Sequence, residues 1–137
     1  MNNELIIRDL LLTELEAVRL FLGAHGWGHR VGSSEYFAQL IRNSQRTAVA
    51  LKNGQIAGFA RGITDGLSNG YLSMVVVDAQ YRRAGIGRAL VERVIGENPD
   101  ITWVLRAGRE GAEAFFSSVG FKTSEIAMER PRGQYAR

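Results

Sequence analysis

Apolar residues first gather at Leu5, Ile6 and Ile7, a run of strand length. Thr13-Glu14-Leu15-Glu16 then has the spacing of a capping box. Leu15, Val18, Phe21 and Leu22 recur at helical intervals behind it, which predicts a helix with one buried stripe to about Leu22, ended with the help of Gly23. Residues 23–32 read as a glycine-punctuated loop carrying His25, Trp27 and His29, after which Ser33 or Ser34 caps a second helix through about Ile41. Two strand-like runs, 47–51 and 55–60, flank Asn53-Gly54, a pair suited to a type I′ hairpin because both central residues need positive φ.

Residues 65–70 are polar and turn-like. Tyr71-Leu72-Ser73-Met74-Val75-Val76-Val77 is apolar enough for a strand buried on both faces, hence a central one. A helix over about 85–95, a strand over 101–106, a helix near 110–118 and a last strand around 121–128 complete the order β-α-α-β-β-β-α-β-α-β. With no repeat, linker or low-complexity run, that order predicts one α/β domain over 1–137: a mixed central sheet with helices on both faces.

Composition narrows the chemistry. The chain has 137 residues, 45% of them hydrophobic, and no cysteine, so disulfides, thiolate metal sites and a cysteine nucleophile are excluded. No apolar run approaches the roughly 20 residues that cross a bilayer, and the first residues are not a basic region followed by an apolar one, so a soluble, cytoplasmic protein without a membrane partner is expected. The net charge of +3 is spread along the chain and does not form a nucleic-acid stripe. Only Lys52 and Lys122 are lysines; the remaining cations are arginines, suited to bidentate contacts with phosphate or carboxylate, and Arg82, Arg83 and Arg88 form a local cluster.

That cluster lies in Val77-Asp78-Ala79-Gln80-Tyr81-Arg82-Arg83-Ala84-Gly85-Ile86-Gly87-Arg88-Ala89-Leu90, which reads as strand, two-glycine loop and helix start. Glycines let the backbone approach a ligand, and the unpaired N–H groups of a helix start bind anions, so a pyrophosphate fits there. Leu90 stands where a dinucleotide fingerprint needs a third glycine, and no Gly-Lys-Ser or Gly-Lys-Thr of a P-loop is present.

The hexapeptide Arg82-Arg83-Ala84-Gly85-Ile86-Gly87, with the valine-rich strand before it, strongly resembles the signature of the GNAT acetyltransferase family. Ala112-Glu113-Ala114-Phe115-Phe116-Ser117-Ser118-Val119-Gly120-Phe121 is similar to that family's fourth helix and the Gly-Phe that ends it. The resemblance implies acetyl-coenzyme A as co-substrate. Backbone groups of Val75, Val76 and Val77 would pair with the pantetheine arm, amides of Arg83, Ala84, Gly85, Ile86, Gly87 and Arg88 would hold the pyrophosphate, and arginine side chains such as Arg82 would meet the 3′-phosphate. It further implies direct attack of an amine on the thioester, with a backbone N–H near Val76 stabilising the oxyanion. Two positions depart from the pattern: Phe116 replaces the tyrosine that protonates the leaving thiolate in many members, leaving Tyr71, Tyr81 or Ser117 as substitutes, and Arg109 replaces a cofactor-contacting asparagine.

The general base is open among Asp65, Asp78, Glu35, His25 and His29. Trp27 and Asp65 are similar to a GNAT subgroup carrying Gly-Trp early and Asp-Gly before the central strand, which implies a pocket for a cationic amine. Trp27 is equally a core plug between helices, Asp65 a turn former, and the two histidines solvated residues in a loop with no metal. The expected partner is a small-molecule amine, with no nucleic acid. A homodimer is common among proteins the chain resembles, and Tyr135 in the tail could reach a neighbouring subunit. Rival readings are a coenzyme A binding module without useful catalysis, transfer of succinyl or a longer acyl group, and acetylation of a protein N-terminus or lysine.

Overall fold

A computed structural model of the chain describes residues 4–133. Tyr135 and the rest of 134–137 lie outside the described residues. Five strands form one sheet in the order of the chain: β1 (Leu5–Arg8), β2 (Arg46–Lys52), β3 (Gln55–Thr64), β4 (Asn69–Val77) and β5 (Thr102–Val104). The first four pair antiparallel, and β5 joins β4 in parallel. Asn53 and Gly54 both take positive φ between β2 and β3 (52° and 83°), as the hairpin requires.

Helices cover both faces of the sheet. On one face Phe59, Met74 and Val76 form a core with Val18 and Leu22 of α1 (Leu15–Leu22), Val31 of α2 (Gly28–Val31) and Phe37 and Ile41 of α3 (Ser34–Arg42). On the other lies α4 (Ile86–Ile95), whose Leu90 and Val94 occupy the room left by Gly58 and Gly62 of β3: a Cβ there would come within 2.8 Å of Leu90 and 2.6 Å of Val94. Arg46 donates to the carbonyls of Val94 and Ile95 (2.9 and 3.1 Å), satisfying acceptors at the end of α4.

The chain divides into two compact units, Met1–Arg106 and Ala107–Arg137. In the second, α5 (Ala112–Ser118) places Phe116 edge-on to Phe115 and Phe121, with ring centroids 5.0 and 5.8 Å away.

Three sequence expectations change. Thr13 is not the cap: it lies in a 3-10 turn, Leu12–Glu14, and the Glu14 carboxylate takes the Leu11 N–H (2.9 Å) while gripping Arg8 of β1 at 2.9 and 2.7 Å. Residues 23–32 are not loop throughout: α1 is capped by Gly23, His25 and Gly26 (φ 91°) leave helical backbone and break the path, and the chain then forms the short helix α2. No strand forms over 121–128 among the described residues. Ser124 accepts from the amides of Ile126 and Ala127, a local turn that competes with strand pairing, and Ile126 and Met128 are exposed.

The Arg8 hydrogen bond, then the Leu11 amide, hold the Glu14 carboxyl below the usual carboxylate range against the opposing effect of burial. A lowered folded-state pKa adds stability that is complete above the unfolded value of about 4.3 and is lost as pH falls through the folded one. Glu14→Gln is therefore expected to cost about 1 kcal/mol, roughly 3 °C in Tm, at pH 7. In paired thermal melts, the gap should close below about pH 4.

Candidate functional site

The centre of the site is the irregularity in β4. Pairing with β3 runs from Gly58↔Val77 and Phe59↔Val76 to Arg61↔Ser73, so Ala60 faces two residues, Met74 and Val75. Met74 sits at φ 54°, in the left-handed region, which makes this a β-bulge. Along the other side of β4, β5 pairs only with Asn69, Gly70 and Tyr71. Beyond Tyr71 that edge, carrying Val75 and Val77, has no strand beside it among the described residues, and Asp78 N–H turns the opposite way to donate to Ala57 O (2.8 Å). An unpaired strand edge accepts an extended ligand. Burial alternates along β4, with Leu72, Met74 and Val76 buried and Tyr71, Ser73, Val75 and Val77 half-buried, so the expected burial on both faces is incomplete because this edge and face stay open.

β4 leads directly to the glycine loop. Asp78 caps the 3-10 turn Ala79–Tyr81, its carboxylate accepting from Gln80 N–H at 3.1 Å. Arg83 (φ 67°) and Gly85 (φ 79°) both adopt left-handed backbone, reversing the chain into α4. Ala89 is the first residue to bond back along the helix, to Gly85 O at 3.1 Å, so the amides of Gly85, Ile86, Gly87 and Arg88 precede the intrahelical ladder. Ile86 is buried and anchors the turn, whereas Arg82, Arg83, Ala84, Gly85 and Arg88 are exposed. Outward amides, a helix dipole and three exposed arginines make a donor set that fits a pyrophosphate.

The remaining candidates are less uniform. Asp65 is exposed and fully engaged: its Oδ1 accepts from Leu67, Ser68 and Asn69 N–H at 2.9, 2.8 and 3.2 Å, and Oδ2 from the Ser68 hydroxyl. The Ser68 hydroxyl first, then those amides, hold the carboxyl far below the usual range, which makes it a weak base. Trp27 packs against the α1–α3 core. His25 lies at the break between α1 and α2 with Nδ1 2.7 Å from Phe21 O and its ring 4.3 Å from that of Phe21; His29 is exposed on α2. Tyr71 is half-buried on β4 at the point where β5 pairing stops. Arg109 and Phe116 belong to the second unit.

Two residues escaped the sequence reading. One is Met74, whose positive φ leaves no signature in a run of apolar residues. The other is Arg61 on β3, only 7% exposed, for which the signal was present: a charge inside an otherwise apolar strand.

The model of the Acetyltransferase (GNAT) domain matches residues 16–131. The chain belongs to the GNAT acetyltransferase family. Over 81 residues this GNAT chain is 37% identical to the [Ribosomal protein bS18]-alanine N-acetyltransferase of Escherichia coli (strain K12), covering 55% of the chain and 53% of that relative. It spans about half the length of the curated relatives it matches. Its fold matches a structure assigned to the GNAT family from Xanthomonas campestris pv. campestris, with TM-score 0.75, 20% identity and 93% of both chains covered. The aminoglycoside N-acetyltransferase AAC(6')-Iy in complex with CoA gives TM-score 0.72 at 17% identity, covering 96% of this chain and 97% of that one. No helix of the described residues is long and apolar enough to cross a membrane.

Proposed function

We propose that this GNAT chain is an N-acetyltransferase that moves an acetyl group from acetyl-coenzyme A to a primary amine. The observation that carries the reading is the succession of bulge, open β4 edge and left-handed loop in one stretch of chain. On this reading the pantetheine arm lies along Val75, Val76 and Val77, and the amides from Arg83 to Arg88 hold the pyrophosphate. Arg82, Arg83 and Arg88 are the side chains offered to its phosphates.

The neutral amine attacks the thioester carbonyl, a backbone N–H of the bulge beside Val76 steadies the oxyanion, the new N–C bond forms and the C–S bond breaks. The thiolate leaves and the amine's proton passes to water. A thiol pKa of about 8.5 makes that thiolate a tolerable leaving group, so the absence of a tyrosine at Phe116 slows transfer without preventing it. Tyr71, half-buried beside the open edge, then donates its phenolic proton to that thiolate, giving the free thiol, and is reprotonated from water. Trp27, packed in the core, borders the acceptor pocket at most with its rim.

Isothermal calorimetry with acetyl-coenzyme A, followed by free-thiol release on the same sample across an amine panel, tests the reading. Binding with turnover is expected. Binding without turnover would favour a coenzyme A binding module, the second reading, which Phe116 recommends; no binding overturns both. The arrangement of Asp65 adds a sharper expectation. Asp65→Asn should leave kcat/KM within about threefold while lowering Tm, whereas loss of a general base costs on the order of 100-fold or more.

A further inference from the structure

Arg61 is buried, yet no carboxylate neutralises it. Nε donates to Ser44 Oγ (2.9 Å), and among the described residues no Asp or Glu stands within ion-pairing distance of the guanidinium. Burial, the dominant effect, lowers its pKa, against the opposing effect of the nearby Tyr36 and Tyr71 phenols. A buried guanidinium without an anion is costly unless a ligand supplies one.

Its position says which ligand. Arg61 is opposite Ser73 on β4, next to the bulge at Met74 and Val75, on the face it shares with Ile63 and Tyr71. Directly opposed residues are roughly 5 Å apart and one strand residue adds about 3.3 Å, so the Arg61 backbone lies within about 9 Å of the bulge, a span comparable to the reach of an arginine side chain. Ile63 and Tyr36 are 40% and 51% exposed, so the chain is open to solvent near this end of the face.

We infer that the acceptor is a small aminocarboxylate, whose carboxylate is received by the guanidinium fork of Arg61 while its amine meets the thioester at the β4 bulge. This rests on the acetyltransferase reading and supplies its substrate class. An arginine fork holds a carboxylate through two parallel hydrogen bonds, which a lysine cannot reproduce.

The test is free-thiol release from acetyl-coenzyme A with L-amino acids, the matching carboxamides and the matching decarboxylated amines. Wild type and Arg61→Gln are compared, with acetyl-coenzyme A affinity of each measured by calorimetry. The expected result is a kcat/KM at least tenfold higher for carboxylates than for carboxamides, expressed mainly in KM. In Arg61→Gln that preference falls to near unity with cofactor affinity unchanged within about twofold, and Arg61→Lys recovers only part of it. Should Arg61→Gln fail to fold, inhibition of wild type by 3-phenylpropionate, competitive with the amine, carries the test. Cofactor binding and turnover with no carboxylate preference, or a preference for peptides over free amino acids, overturns the inference alone. Absence of cofactor binding overturns the reading beneath it.

Discussion

Gly85→Glu is expected to reduce acetyl-coenzyme A affinity about 100-fold while the protein still folds. Gly85 caps α4 at φ 79°, and a Cβ built there meets nothing within 4 Å, so no packing is disturbed. The side chain must hold a left-handed backbone at a cost of about 1–2 kcal/mol, and it brings a carboxylate to the amides offered to the pyrophosphate, a repulsion of similar size. Together these come to about 2–4 kcal/mol, around the roughly 2.7 kcal/mol that corresponds to 100-fold. Gly85→Asn separates the causes, because asparagine tolerates the left-handed region and adds no charge. It should bind within about fivefold of wild type by calorimetry. Equal losses in the two variants would mean that backbone shape alone governs the site, and full affinity in Gly85→Glu would remove the loop from the cofactor site.

The largest stability loss is expected at Gly70. This residue lies opposite Trp103 in the β4–β5 pairing, and the indole spreads across it toward Gly62 of β3. A Cβ at Gly70 would come within 2.5 Å of two indole carbons, and one at Gly62 within 3.2 Å of the same ring. The ring cannot lift freely, since the Arg46 guanidinium lies 5.6 Å from its centroid while also bonded to the end of α4. Overpacking of this kind costs typically 1–3 kcal/mol, so Gly70→Ala should lower Tm by roughly 3–9 °C. Combined with Trp103→Leu, the total loss should fall short of the sum by at least about 1 kcal/mol. Additive losses would show that the indole is not what Gly70 accommodates.

Legibility from sequence followed how local the cause was. The Asn53-Gly54 hairpin, the Ser33 cap and the glycine loop before α4 were readable because each is set by a few adjacent residues with special backbone or capping chemistry. Thr13 misled because the amide of Leu11 is met by Glu14, and Glu14 is held in place by Arg8, a partner from another element. The short helix α2 was hidden by the glycines around it, which do break the path at His25 and Gly26, although its Val31 joins α1 in one core. The bulge at Met74 depends on pairing with Ala60 fourteen residues earlier, and no local pattern reports that. Asp65 was legible as a turn former through its polar neighbours, while its role as an acceptor of four hydrogen bonds needed the coordinates. Arg61 was legible as an anomaly, but its lack of an anionic partner was not.

The coincidence of strand order with chain order has a consequence for how the protein is made. Because β2 pairs with β1, β3 with β2, β4 with β3 and β5 with β4, each strand leaving the ribosome finds its neighbour already synthesised. The sheet therefore grows at a single edge, without waiting for a late strand to insert between early ones. The shortest loop, at Asn53-Gly54, closes first and cheaply. β5 comes last, so the open flank beside Val75 and Val77 is framed only after the rest of the sheet is in place.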